Sequence, residues 1–302
     1  MIANDNAVRI LVVDDVPENL VSLGAILDDP GYVVTCAASG AEALRRLMEQ
    51  ELAVILLDVQ MPVLDGIETA RLIRQREACR NVPIIFITAY ADVGRISDGY
   101  EVGAVDYLIK PCDPAILRAK VAVFAQLHRA REAIHYLAYH DALTGLPNRR
   151  LFADRFGVAV TAAQRSGAQV AVAILDVDHF KDVNDTHGHG AGDLILKGVA
   201  HRLTGLMRQC DTLARFGGDE FLLALPNIEK RANPTLIAQR IVDNFKVPFI
   251  VDGRTLHVTV SLGVANYPEH ATDLETLVRF ADVALFEAKH AGRDRYALYV
   301  EA

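Results

Sequence analysis

The chain has 302 residues, 51% of them hydrophobic, which is enough for about two domains with a core each. Its formal net charge is −8 and it carries no basic cluster, which argues against a nucleic-acid partner. No apolar run approaches a membrane span and Met1–Asp5 does not open a signal peptide, so a cytoplasmic protein with no membrane partner is expected.

The first half alternates strand and helix. Val8–Val13 is an apolar run that ends in Asp14 and Asp15, and a helix follows through Leu20, Leu23 and Leu27. Tyr32–Cys36 is a second strand and Ala41–Met48 a second helix. Further strands are expected at Ala53–Leu57, Pro83–Ile87 and Val105–Ile109. Near-continuous apolar runs mark strands covered on both faces, so the fold class is α/β with a doubly wound parallel sheet. Such sheets bind ligands at the carboxyl ends of their strands. There the polar residues fall: Asp14 and Asp15, Asp58, Thr88 and Lys110. Clustered carboxylates repel one another unless a cation neutralises them, and Mg²⁺ fits because it takes few carboxylates and leaves positions for phosphate oxygens. The plain alternative is capping of strand ends.

These residues, with Met61-Pro62 and Asp65-Gly66 after Asp58 and with Tyr107 and Pro111 around Lys110, resemble the receiver domain of two-component response regulators. The resemblance implies that Asp58 accepts a phosphoryl group from a cognate histidine kinase. It also implies that Asp14 and Asp15 join Asp58 around the metal, that Thr88 offers a hydroxyl, and that Lys110 is the phosphate counter-ion. Tyr107 is open between a switching role and core packing.

A single helix is expected over Pro114–Tyr139, free of internal proline and glycine. Val123, Leu127, Ala130, Ile134 and Leu137 repeat in steps of four and three, the seam of a coiled coil and hence of a homodimer. The alternative is a lone amphipathic helix packed on its own domains. The domains are therefore expected at 1–122, a helical linker at 123–140, and a second domain at 141–302.

That second domain reads as α+β. Helices are expected at Leu151–Gln164, Asp193–Met207, Asn233–Phe245 and Leu274–His290. Strands are expected at Gln169–Val177, Phe249–Val251, Thr255–Ala265 and Tyr296–Tyr299, with a turn at Asp252-Gly253. Between them Asp211–Leu225 forms a hairpin around Arg215-Phe216-Gly217-Gly218-Asp219-Glu220-Phe221, with the two glycines at its tip. A side-chain-free backbone followed by Asp219 and Glu220, on alternating faces if they open the next strand, suits a phosphate ester held with divalent metal. An ordinary polar hairpin tip is the other reading. The four cysteines, Cys36, Cys79, Cys112 and Cys210, lack metal spacing and read as buried or incidental thiols in reducing surroundings.

The hairpin resembles the signature of the GGDEF family, the diguanylate cyclases. So do Asp141–Arg150, Leu175–Lys181 with Asn184-Asp185, Gly188-His189, Gly192-Asp193 and Ala288–Arg293. The resemblance implies a nucleotidyl-cyclase palm with an antiparallel sheet, joining two GTP into cyclic di-GMP with release of two pyrophosphates. Asp176 and Asp219, with Glu220 and the Val177 carbonyl, are the expected Mg²⁺ ligands, and Glu220 is open between metal binding and assisting deprotonation. Phe180, Lys181, Gly217 and Gly218 are expected along the phosphates, with Lys289 and Arg293 reaching the same phosphates one turn apart on the last helix. Asn184 and Asp193 match the guanine-reading positions, unless they cap helices. Arg208 and Asp211 match an inhibitory product site, unless they form a local ion pair, and Arg240 is a secondary contact from a neighbouring subunit. The expected function is a phosphorylation-activated diguanylate cyclase with product inhibition and no phosphodiesterase domain after Ala302. The alternative is a module that binds cyclic di-GMP without making it, or a phosphorylation-dependent scaffold.

Overall fold

The computed structural model describes residues 7–49, 51–89, 101–227 and 234–301. Met1–Asp5 and Asn233, the expected first residue of a helix, lie outside the described residues. The chain divides into two compact units, Met1–Ile134 and His135–Ala302.

In the first unit β1 (Val8–Val13), β2 (Tyr32–Ala37), β3 (Val54–Asp58), β4 (Ile84–Thr88) and β5 (Asp106–Ile109) form one parallel sheet in the order β2-β1-β3-β4-β5. Every residue of β3 and β4 is buried. The period of two splits their side chains: Leu11, Val13, Leu57 and Phe86 enter one core, and Ile10, Val12, Leu56 and Ile87 the other. Helices α1 (Pro17–Ile26), α2 (Gly40–Glu49) and α3 (Gly66–Arg74) follow the first three strands. Asp65 caps α3 by accepting the Glu68 amide at 2.8 Å. Of the cysteines only Cys79 is buried, while Cys36 and Cys210 are exposed and Cys112 lies between.

The long helix α4 (Pro114–Tyr139) has the expected bounds, and the division between the units falls inside it. It buries Leu117, Val121 and Ala125. Along the expected seam Val123, Leu127, Ile134 and Leu137 are 57–69% exposed.

The second unit contains α5 (Arg149–Ser166), β6 (Val170–Val177), α6 (Phe180–His187), α7 (His189–Leu206), β7 (Thr212–Gly217), β8 (Glu220–Pro226), α8 (Pro234–Phe245), β9 (Phe249–Val251), β10 (Arg254–Leu256), β11 (Val260–Tyr267), α9 (Leu274–His290) and β12 (Tyr296–Leu298). Its main sheet runs β12-β11-β6-β8-β7. Along β6, Ala171, Ala173, Leu175 and Val177 join one core with α7 and α8, while Val170, Val172 and Ile174 join another with α5 and α9.

Several expectations need correction. The sheet is not wholly antiparallel, because β12 returns from α9 to pair in parallel with β11. The expected strand Thr255–Ala265 is two strands: β10 pairs only with β9 in a separate hairpin, and β11 joins the main sheet. A helix was not foreseen at α6, which is only eight residues long and fully buries none of them, with only Phe180 and Val183 packed partly buried on the core. Gly188, with φ of +82°, separates α6 from α7, so α7 begins four residues before Asp193.

Candidate functional site

In the first unit the parallel sheet brings Asp14, Asp58, Thr88 and Lys110 to one edge, all buried except the partly exposed lysine and the adjacent Asp15. Lys110 Nζ lies 2.7 Å from Asp14 Oδ2 and 3.1 Å from Asp58 Oδ2. Its backbone amide donates to the Thr88 carbonyl, so β4 and β5 fix where the stem starts. Burial raises the Asp58 carboxyl above its usual range; Lys110 opposes this and Asp14 adds to it. Burial also works against the Lys110 ammonium, but its bonds to Asp14 and Asp58 outweigh it and raise its pKa. Donor atoms of Asp14, Asp15 and Asp58 lie within 4.8 Å of one another, a donor set that fits a small, hard divalent cation. Tyr107 packs its ring on Phe86, with centroids 5.3 Å apart.

In the second unit the antiparallel register of β6 and β8 sets Asp176 opposite Glu220. Gly217 pairs with Glu220, so the turn is Gly218-Asp219 rather than the two glycines, and Asp219 sits in the turn instead of opening β8. Gly218 has φ of +54°, which a side chain disfavours, and nothing crowds its open side. The Val177 amide donates to the Asp219 carbonyl at 3.3 Å, tying the turn to the end of β6. Lys289 Nζ is 2.8 Å from Asp176 Oδ2. Burial raises the Asp176 carboxyl despite Lys289, and Asp219 raises it further. Burial likewise raises Glu220, reinforced by Asp176 and Asp219. Carboxylates that crowd one another are relieved by a divalent cation, although among the described residues only Asp14, Asp15 and Asp58 of the first unit have donor atoms all within 4.8 Å of one another.

Phe180 and Lys181 open α6, ahead of the first intrahelical bonds, which run from the Asp182 and Val183 amides to the His179 carbonyl. Amides at such a helix start suit phosphate oxygens. Asn184 and Asp193 lie inside α6 and α7, so neither is a helix cap. Asn184 Oδ1 is buried without a hydrogen-bond partner, and a Cβ on Gly192 would stand 1.9 Å from it. Arg293 is not on the last helix with Lys289, because α9 ends at His290 and Arg293 stands in the following turn with φ of +60°. Asp211 accepts the Arg208 backbone amide at 2.8 Å, and among the described residues no ion pair joins the two side chains. The Arg240 guanidinium donates to the Leu206 carbonyl at 2.7 Å.

Three contributors were missed from sequence. Asn19 donates to both oxygens of Asp14, at 2.9 and 3.1 Å. Arg215 forks onto Asp141 at 3.0 and 3.2 Å and donates to the Gly218 carbonyl at 3.1 and 2.6 Å. Asp178 accepts from Thr259, Ser261 and the Asp294 amide. The Arg215–Asp141 pair and the Asp178 contacts join residues far apart in sequence, so no local pattern carries them, whereas Asn19 lies only five residues from Asp14 and was not singled out.

Comparison with known proteins matches residues 138–295 to the diguanylate cyclase GGDEF domain and residues 10–122 to the response regulator receiver domain. The chain is 38% identical over 170 residues to diguanylate cyclase TpbB of Pseudomonas aeruginosa, covering 56% of this chain and 39% of that protein. It is 33% identical over 251 residues to response regulator PleD of Caulobacter vibrioides, covering 80% of this chain and 55% of that protein. Thus it spans about half or less of the length of these relatives. Among solved structures, the coiled coil and GGDEF domain of DgcB from Caulobacter crescentus, in complex with c-di-GMP, aligns with a TM-score of 0.52 at 30% identity, over 61% of this chain and 97% of that one.

Proposed function

The chain belongs to the GGDEF family, with a response regulator receiver domain ahead of the GGDEF domain, and from that premise we propose that it is a diguanylate cyclase switched on by phosphorylation of Asp58. The observation that carries this reading is the grouping of Asp176, Asp219, Glu220 and Lys289, set by the β6–β8 register and the Gly218-Asp219 turn. Two GTP molecules become cyclic di-GMP as each 3′-hydroxyl attacks the α-phosphate of the other and pyrophosphate leaves. Each domain holds one GTP, so the ring closes between two copies of the chain.

Asp176, the Val177 carbonyl, Asp219 and Glu220 in the cyclase, and Asp14, Asp15 and Asp58 in the receiver, would hold Mg²⁺, which supplies Lewis acidity and charge neutralisation at phosphate. Glu220, paired across the sheet with Asp176, stands open between holding the metal and accepting the 3′-hydroxyl proton. Lys289 and Arg293 balance the triphosphate charge, and the opening amides of α6 at Phe180 and Lys181 receive phosphate oxygens. The unpartnered Asn184 Oδ1 and the exposed Asp193 accept from the N1–H and N2–H₂ edge of guanine; adenine offers an acceptor at N1 and leaves them unpaired. The exposed Arg208 guanidinium, with Asp211, binds product as an inhibitor.

In the receiver, Lys110 balances the phosphoryl charge on Asp58 and Thr88 donates its hydroxyl to it. Residues 123–140 link the domains, and the exposed Val123, Leu127, Ile134 and Leu137 stripe supports pairing of two copies along α4. The test is to incubate the full chain with GTP and Mg²⁺, with and without beryllofluoride, and to identify the product by mass spectrometry. Cyclic di-GMP formed faster with beryllofluoride is expected. Unconsumed GTP under both conditions overturns the reading.

A further inference from the structure

Asp178 has no part in the reaction as proposed, yet it is only 4% exposed and lies just past β6. Among the described residues no cationic side chain pairs with it. A buried carboxylate then needs neutral donors, and it has them. Thr259 Oγ1 donates to its Oδ2 at 2.7 Å, Ser261 Oγ to its Oδ1 at 2.7 Å, and the Asp294 amide to its Oδ2 at 3.1 Å.

The last of these donors belongs to an unusual turn. Gly292, Arg293 and Asp294 follow α9 with φ of +113°, +60° and +50°. Residues with a Cβ resist that region, and two in succession need holding from outside. The Arg293 amide reaches back to the Ala288 carbonyl at 3.1 Å, and the Arg295 carbonyl accepts from Leu262 at 2.9 Å. Between those anchors the Asp178 carboxylate takes the Asp294 amide. Asp176, two residues earlier, takes Lys289. One strand end thus grips both ends of the segment that carries Lys289 and Arg293.

We infer that Asp178 is a positioning residue for nucleotide binding: it locks the Gly292–Asp294 turn in its left-handed form and so sets where the Arg293 guanidinium meets the triphosphate. The inference rests on the reading of Lys289 and Arg293 as triphosphate ligands. It predicts a loss confined to nucleotides that carry the terminal phosphates.

Binding to the full chain of 3′-deoxy-GTP, which cannot cyclise, is measured against binding of GMP. Asp178→Asn keeps the shape but turns one acceptor into a donor. It should weaken 3′-deoxy-GTP about tenfold, the scale of one hydrogen bond to a charged group, and leave GMP unchanged. Adding Asp294→Gly should restore the affinity, because glycine takes positive φ freely. In an Arg293→Ala background Asp178→Asn should add nothing, since it acts through that side chain. Equal weakening of both nucleotides, no weakening, or no rescue by Asp294→Gly overturns the inference. If Asp178→Asn does not fold, Thr259→Val and Ser261→Ala, which loosen the carboxylate one donor at a time, must show the same split or the inference falls. A wild-type chain that binds neither nucleotide overturns the functional reading, and this inference with it; one that binds both while every variant matches it overturns this inference alone.

Discussion

Replacing Arg215 by alanine removes two supports at once: the fork onto Asp141 and the pair of bonds to the Gly218 carbonyl. The ion-paired side chains are 12% and 23% exposed, so solvent screens the pair only in part. Breaking a fully buried pair costs roughly 3–5 kcal/mol and an exposed one about 1 kcal/mol or less. A loss of about 2 kcal/mol, between those limits, is expected, and at about 2–4 °C per kcal/mol it lowers the melting temperature of the second unit by about 4–8 °C. The Asp141 carboxyl supplies a pH signature. Burial raises it, but the Thr144 hydroxyl and amide and the Arg215 guanidinium outweigh burial and hold it below the usual range. A depressed carboxylate contributes stability above its unfolded pKa of about 3.9 and loses it as pH falls through the folded value. The Arg215→Ala penalty should therefore be full at pH 7 and shrink below about pH 4. Calorimetry of wild type, Arg215→Ala, Asp141→Asn and the double variant at both pH values measures this. Penalties that simply add, or that are equal at the two pH values, would refute the pairing as a source of stability.

Other expectations follow from the site. Asp219→Ala, Glu220→Ala and Asp176→Asn should each abolish cyclic di-GMP formation while far-UV circular dichroism stays unchanged; wild-type turnover in any of them removes it from the catalytic set. Arg208→Ala should weaken cyclic di-GMP binding and let product accumulate further, and unchanged sensitivity to added product would leave Asp211 as a plain turn cap. Seven residues inserted after Arg129 return the α4 stripe to within about 20° of its original face, whereas two rotate it by about 200°. Beryllofluoride stimulation should survive the first insertion and vanish in the second; equal rates would make the helix a passive tether.

What could be read in the sequence was whatever rests on local periodicity. The apolar runs of β1, β3 and β4 announced strands covered on both faces, β6 was expected as a strand, and α4 and α9 ended where their apolar repeats did. The acids were legible because glycines and strand ends sit beside them. Short α6 was not, since its eight residues set only Phe180 and Val183 against the core, both partly exposed. Neither was the direction of β12, because a three-residue strand carries no sign of which neighbour it will meet. The supports of the site were hidden for the same reason: Arg215 finds Asp141 74 positions away, and Asp178 finds Ser261 and Asp294 at 83 and 116.

The two outer strands of the second unit's main sheet have a consequence for whether that sheet can be extended by another chain. A long, flat border of unpaired amides and carbonyls invites another chain to extend the sheet, which leads to aggregates. Here one border is β12, only three residues long. The other, β7, shifts register between Arg215 and Gly217, and its Arg215 amide is taken by the Pro147 carbonyl from the opening segment of the same unit. With both borders blunted, runaway strand addition is disfavoured.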